Sequence, residues 1–272
     1  MRHFSWGTVY ITGGSSGIGF AIAKQIIGEG GTVVLLARNE KKLIQAQREL
    51  GKKKCHIQVL DIAKTEEVAA IIQEAVGTFG APEMLINNAG VAHPDHFFDL
   101  DLCIFEHTIR TNLLGTIAVT KATLPFMRPG GHIVNVSSMA GFIGTYGYTS
   151  YSASKFGIIG FSQALRNELK AEGISVSVLC PPDTDTPQLY EENKTKPPET
   201  FAISGNAKLM SADGVAIAFL RGIKRHTYLI IPGFSGKMIY LLNQIAPGLV
   251  RPIMDSIVRT ARKKEGISRR FL

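Results

Sequence analysis

Short apolar runs alternate with longer segments of helical period along the first two thirds of the chain. TVYIT (Thr8–Thr12), TVVLLA (Thr32–Ala37), HIQVLD (His56–Asp61), MLINN (Met84–Asn88), HIVNVS (His132–Ser137) and SVSVLC (Ser175–Cys180) have the length and β-branched content of strands. Their apolar residues run almost without interruption, which marks strands covered on both faces. Gly17–Glu29, Glu40–Leu50, Thr65–Phe79 and Tyr151–Glu172 read as helices between them. Parallel neighbours need a crossover, usually a helix. The alternation therefore predicts an α/β fold, a doubly wound parallel sheet in which TYLIIP (Thr227–Pro232) adds an edge strand.

A length of 272 residues at 45% hydrophobic content suits one large domain with an ample core. Three widely spaced cysteines, Cys55, Cys103 and Cys180, match neither a disulfide framework nor a metal-ligand pattern, so no metal is expected and a reducing compartment is. The N-terminus runs directly into a strand, which leaves no room for a signal peptide and predicts a cytoplasmic location. The formal charge of +8 is concentrated at the other end. The last 22 residues carry seven basic side chains (Arg251, Arg259, Arg262, Lys263, Lys264, Arg269, Arg270) against Asp255 and Glu265, a net of +5. Without interleaved aromatics, this tail is not expected to bind nucleic acid.

YITGGSSGIGFAIAKQI places Gly13, Gly17 and Gly19 between the first strand and a helix. Glycine there permits a sharp turn and a close backbone approach to a pyrophosphate resting on the helix N-terminus. Ser15 and Ser16 add hydroxyl donors. The strand before the loop and the helix after it are the context that a dinucleotide site requires, so the sheet is of the Rossmann type. At the end of the second strand, where an NAD site would carry a carboxylate for the ribose hydroxyl, stand Ala37 and Arg38. A guanidinium suits a phosphate at that position, and the expected cofactor is NADPH.

The spacing Thr-Gly-x-x-x-Gly-x-Gly resembles that of the short-chain dehydrogenase/reductase family. Further motifs follow in that family's order: Asp61 in VLDI, NNAG at Asn87–Gly90, Asn112 in RTNLLG, Ser138 in NVSSMAG, and Tyr151 with Lys155 in YSASK. The resemblance implies that Gly13, Ser15, Ser16, Gly17, Ile18 and Gly19 hold the cofactor's phosphates. It implies adenine contacts from Asp61 and Ile62, and support from Asn88, Ala89 and Gly90. Asn112, Ser138, Tyr151 and Lys155 would form the catalytic tetrad. Ser138, thirteen residues before Tyr151, has the catalytic spacing, and Ser137 does not.

The chemistry accounts for each residue type. Hydride delivery to a ketone leaves an alkoxide that must be protonated as it forms. A tyrosine can do this, although its free pKa of about 10 is high. Lys155, one helical turn on, is expected to lower it. Lys155 is also expected to hold the nicotinamide ribose. Ser138 would donate to the substrate oxygen, and Asn112 would hold a water leading to solvent.

After the sixth strand the text reads CPPDTDTPQLYEENKTKPPET. By family resemblance Pro181 and Thr186 contact the nicotinamide, and Pro182 stands where the family has glycine. Two prolines fix φ and remove two amide donors, sending the chain out in one direction. This stretch, with VVLLARNEKKLIQAQREL, resembles the branch of the family that reduces the 3-ketone of a long-chain sphingoid base. It implies NADPH-dependent conversion of 3-ketodihydrosphingosine to dihydrosphingosine. The expected layout is a cofactor and catalytic core (8–183), a substrate loop (184–215) and a helical, basic C-terminal extension (236–272). That extension is too interrupted to span a bilayer. It suits peripheral contact with an anionic membrane surface, or a cover over the substrate mouth or a subunit interface. The resemblance also implies a homo-oligomer. A steroid or 3-ketoacyl-thioester reductase would carry the same tetrad. A non-catalytic NADPH sensor or scaffold would carry the same phosphate loop, but the complete tetrad speaks against it.

Overall fold

A computed structural model describes residues 6–204, 209–264 and 266. The chain alternates as its apolar pattern requires: β1 (Thr8–Thr12), α1 (Gly17–Gly28), β2 (Thr32–Ala37), α2 (Glu40–Leu50), β3 (Cys55–Val59), α3 (Thr65–Phe79) and β4 (Met84–Asn87). A long helical run follows, made of α4 (Leu102–Ile109), a π-helical turn (Arg110–Gly115) and α5 (Thr116–Thr123). Then come β5 (His132–Val136), α6 (Thr149–Leu169) and β6 (Ser175–Leu179). Beyond β6 lie β7 (Thr184–Asp185), α7 (Pro187–Glu192), α8 (Pro198–Ser204), β8 (Met210–Ser211), α9 (Ala212–Lys224), β9 (Leu229–Ile230), α10 (Phe234–Ile245) and α11 (Pro247–Lys264).

The main sheet is parallel throughout, in the order β3-β2-β1-β4-β5-β6-β9, and β7 pairs with β8 in a small separate ribbon. Residues of β1 alternate between two cores. Val9 and Ile11 join Ile22, Ile26, Leu35 and Phe219 on one face, and Tyr10 joins Leu36, Leu60, Ile72 and Leu85 on the other. This is the single-domain Rossmann-type fold expected from the sequence.

Two expectations shift in detail. Asp61 does not close the third strand, because β3 ends at Val59 where its partner β2 ends at Ala37. Asp61 instead turns the chain, its Oδ1 accepting from Ala63 N at 3.0 Å. The edge strand from TYLIIP contracts to Leu229–Ile230. Cys55 and Cys180 are buried free thiols, and Cys103 is exposed.

His132, at the start of β5, is buried with Nε2 2.9 Å from Ser177 Oγ. Burial, with His226 adding a smaller repulsion, lowers its pKa from 6.5 to about 4. The folded state therefore keeps it neutral, and the unfolded chain takes up the proton first as pH falls. The stability it contributes is complete above pH 6.5 and drains away toward pH 4, about 3 kcal/mol in all. Denaturant titrations of the wild type and His132→Gln across that window should show a shallower loss in the variant; parallel curves would contradict this.

At the C-terminus, Arg262 of α11 lies 3.7 Å from the fully buried carboxylate of Glu199 in α8. Glu199 also meets His96 at 3.3 Å and accepts from the Tyr146 hydroxyl at 3.2 Å. The extension is thereby tied down over the core. Phe234, Leu241, Leu242, Ile245, Leu249 and Ile253 stay exposed along α10 and α11. No helix among the described residues is long and apolar enough to cross a membrane. Glu265, Arg269 and Arg270 of the basic tail, and positions 205–208 of the expected substrate loop, lie outside the described residues.

Candidate active site

At the C-terminal ends of the strands, where the sheet order reverses between β1 and β4, the chain encloses a cleft of about 880 Å³. Ligands of open α/β sheets bind at such switch points. One end is the glycine loop. Gly13 (φ +65°) and Gly17 (φ +56°) take left-handed backbone that other residues avoid. A Cβ on Gly19 would sit 2.6 Å from Gly13 O, and one on Gly13 2.8 Å from Ala89 Cα. The loop is this tight because β1 and β4 pair Thr12 with Asn87. Thr12 Oγ1 then accepts from Asn88 N and Ala89 N at 3.0 and 3.1 Å, and Asn88 Nδ2 donates to Thr12 O and Gly13 O. The NNAG turn is thus a brace for the loop.

Ser16 occupies the N-cap of α1 without a side-chain capping bond, and no acidic residue stands in the first turn. Ser16 lines the cleft beside Ser15, Gly17 and Ile18, at the start of α1. At the far corner lie Asp61, Ile62 and Arg38, joined by Lys42, a residue the sequence reading did not single out. Neither Arg38 nor Lys42 has a carboxylate partner among the described residues. Small backbone-lined surfaces at one end and a strand-end corner at the other fit a dinucleotide of the NAD(P) kind.

The opposite wall carries the residues expected to be catalytic. Tyr151 and Lys155 project from α6, with Lys155 Nζ 5.4 Å from the Tyr151 ring centroid. The ammonium donates to Val136 O at 2.9 Å, and burial lowers its pKa to about 8. Ser138 follows β5 and caps a short turn, its Oγ accepting from Ala140 N at 3.1 Å, and it is hydrogen-bonded to the Tyr151 side chain. Ser137 is buried and donates to Lys155 O at 2.9 Å, which seats the lysine's helix on β5.

Three of the expected site residues have local contacts that the sequence did not show. The Tyr151 pKa is raised in this pocket, not lowered. Burial comes first and the Glu192 carboxylate second, and together they hold the hydroxyl above its ordinary value while the Ser138 bond partly offsets them. Low-dielectric surroundings penalise the phenolate more than a lysine bonded to Val136 O can repay. Asn112 sits in the π-helical turn, but both hydrogens of its amide are committed, to Val91 O (2.8 Å) and Ser154 Oγ (3.0 Å), while its Oδ1 accepts from Val91 N. It ties the loop after Gly90 to α6. Thr186 caps α7, accepting from Leu189 N, and its methyl lies against Gly17 of the phosphate loop (3.3 Å to a Cβ built there). Pro181 O accepts from Met139 N, and Pro182 O from the Thr184 hydroxyl.

The proline pair turns the chain away from the sheet into α7 and α8, and the cleft extends beneath them. Leu189, Ile203 and Met210 line it from this side, Ile239 and Met254 from α10 and α11. Sequence reading missed Tyr148 and Glu192 as well, which lie side by side in the cleft. Their only sequence signal is one Tyr in GTYGYTS and one Glu in LYEEN.

The sheet order, the phosphate loop and the Ser-Tyr-Lys wall define a class. The sequence model of the short chain dehydrogenase matches residues 7–197, and the chain belongs to that family. More particularly, it is 36% identical over 260 residues to the 3-ketodihydrosphingosine reductase of Bos taurus, covering 92% of this chain and 77% of that one. It is 37% identical over 268 residues to the 3-dehydrosphinganine reductase of Danio rerio, with 93% and 81% covered. It is also 32% identical over 251 residues to the ketoacyl reductase HetN of Nostoc sp., with 88% and 85% covered. A short chain dehydrogenase/reductase from Burkholderia phymatum, solved in complex with NAD, shares the fold with a TM-score of 0.79 at 22% identity, over 91% of this chain and 96% of that one.

Proposed function

We propose that this protein reduces 3-ketodihydrosphingosine to dihydrosphingosine with NADPH. The observation that carries the reading is one cleft with Ser138, Tyr151 and Lys155 on its wall and apolar side chains of α8, α10 and α11 along its extension. The similarity to sphingoid-base reductases over nearly the whole chain supports it. NADPH, when bound, supplies the hydride. The glycine loop and the first amides of α1 hold its pyrophosphate, and Arg38 with Lys42 faces its ribose phosphate.

The chain's own residues handle the proton. Ser138 accepts from Ala140 N and bonds to the Tyr151 side chain, so a ketone oxygen arriving between them would take over its hydroxyl hydrogen. Tyr151 donates its proton to that oxygen as the alcohol forms, and the phenolate draws a proton back from solvent. Lys155 provides positive charge beside the phenolate and binds the nicotinamide ribose. Residues 8–183 form the cofactor and catalytic core, 184–215 the substrate loop, and 236–272 an extension that both covers the cleft and meets lipid. Lipid contact is supported by the exposed apolar row on α10 and α11 and by Lys237, Arg251, Arg259, Lys263 and Lys264 near it.

A single assay tests substrate and surface together: NADPH oxidation with 3-ketodihydrosphingosine carried in vesicles, with an acetoacetyl thioester as control. Turnover of the sphingoid ketone is expected, faster on anionic than on zwitterionic vesicles. Turnover of the thioester alone would favour the second reading, a ketoacyl reductase, which the similarity to HetN keeps in view. Equal rates on both vesicle types would remove the electrostatic part of the membrane contact.

A further inference from the structure

The cleft contains a negative charge through which neither the hydride nor the transferred proton passes. Glu192, the last residue of α7, is 9% exposed and lines the cleft beside Tyr148. Its Oε2 accepts from the Tyr148 hydroxyl at 2.7 Å, and its Oε1 from Gln188 Nε2 at 2.8 Å. Both donors are neutral. Among the described residues, no cation lies within ion-pair distance of it. Lys196, nearby and buried, places its ammonium over the faces of Tyr148 and Phe201, 5.8 and 5.4 Å from their centroids. Buried carboxylates are normally paired with a cation, because desolvating an unpaired charge is costly.

The position of this carboxylate matters as much as its burial. The Tyr148 and Tyr151 rings are 5.7 Å apart, and the Glu192 charge acts on both tyrosines and on Lys155. An anion therefore stands beside the point where a ketone oxygen would meet the Tyr151 hydroxyl. Resting on the substrate reading above, we propose that Glu192 forms an ammonium subsite, binding the protonated amine that an amino ketone carries on the carbon next to its carbonyl. When the ketone oxygen is held by Tyr151 and Ser138, that amine is confined to the neighbourhood of Tyr148 and Glu192. The exposed carboxylate of Asp183, which also acts on Tyr151, adds negative potential at the rim. A ketoacyl thioester has no charge at the corresponding carbon, so this one residue separates the two substrate classes.

The test compares kcat/KM for 3-ketodihydrosphingosine with that for its des-amino analogue, the same hydroxy ketone lacking the amine, using NADPH and three proteins. The wild type is expected to prefer the amine by about tenfold or more, the scale of one charge pair. Glu192→Gln keeps the shape and an accepting oxygen for Tyr148, and should erase most of that preference through KM. Tyr148→Phe removes the clamp but leaves the carboxylate charged, and should retain the preference. An unchanged preference in Glu192→Gln would overturn the subsite, as would equal losses of preference in the two variants, which would mark the pair as structural. A wild type that reduces the des-amino ketone but not 3-ketodihydrosphingosine would overturn the substrate reading, and the subsite with it. Should Glu192→Gln fail to fold, competition on the wild type decides: hexadecylamine should inhibit more strongly than hexadecanol, and equal inhibition would overturn the proposal.

Discussion

Tyr151→Phe is expected to lower kcat on the sphingoid ketone by about 10³-fold, in the middle of the span for a positioned proton donor. NADPH affinity, read by fluorescence titration, should stay the same, because the glycine loop and the Arg38 corner are untouched. The reason lies in the pocket's electrostatics. Burial and the Glu192 carboxylate hold the Tyr151 hydroxyl above its ordinary pKa, so it is fully protonated near neutrality and ready to give a proton to a forming alkoxide. Lys155, lowered to about 8 by burial, is the first of the wall's cations to lose its charge as pH rises. The wild-type kcat/KM for NADPH should therefore decline above about pH 8. Turnover of Tyr151→Phe within about tenfold of wild type would remove Tyr151 from the proton-donating role.

Arg38→Asp should reverse the cofactor preference, lowering the ratio of kcat/KM for NADPH to that for NADH by about 10²-fold or more. The change removes a cation that faces the cleft with no carboxylate partner among the described residues, and it puts an acceptor one residue past Ala37, where an NAD site carries its carboxylate. Lys42 remains, one turn along α2, so some phosphate attraction should persist. The double variant with Lys42→Ala should complete the shift. A ratio unaffected by both changes would mean that the extra phosphate is read elsewhere. Arg38 is exposed and leads into a helix that Asn39 caps by accepting from Lys42 N, so neither substitution threatens the fold.

How much of this was legible in the sequence differs element by element. β1, β2, α2 and α3 have the ends that their apolar pattern predicts. Each signal there is local: a run of β-branched residues or a stretch of helical period. β3 fell short of Asp61, and TYLIIP of its full length, because a strand ends where its neighbour stops offering partners, and that is a property of the pair. Glycine spacing and the Tyr-x-x-x-Lys step survive as a site because both are short-range geometry that neighbouring packing preserves.

What the sequence by itself determined is therefore the order of strands and helices, the glycine turn between β1 and α1 and the cation after the second strand, which follow from steric rules and side-chain periods acting over a few residues. The Ser138–Tyr151–Lys155 set was legible through its resemblance to the family's motifs. Tertiary structure alone decided the rest. It spends Asn112 on Val91 and Ser154, seats Thr186 against Gly17, and raises the Tyr151 pKa where a lysine one turn away suggested a fall. It also carries Glu192, more than forty residues along the chain, to the side of Tyr148. Burial and electrostatic fields depend on everything within a few ångströms, and in a folded chain those neighbours come from distant parts of the sequence.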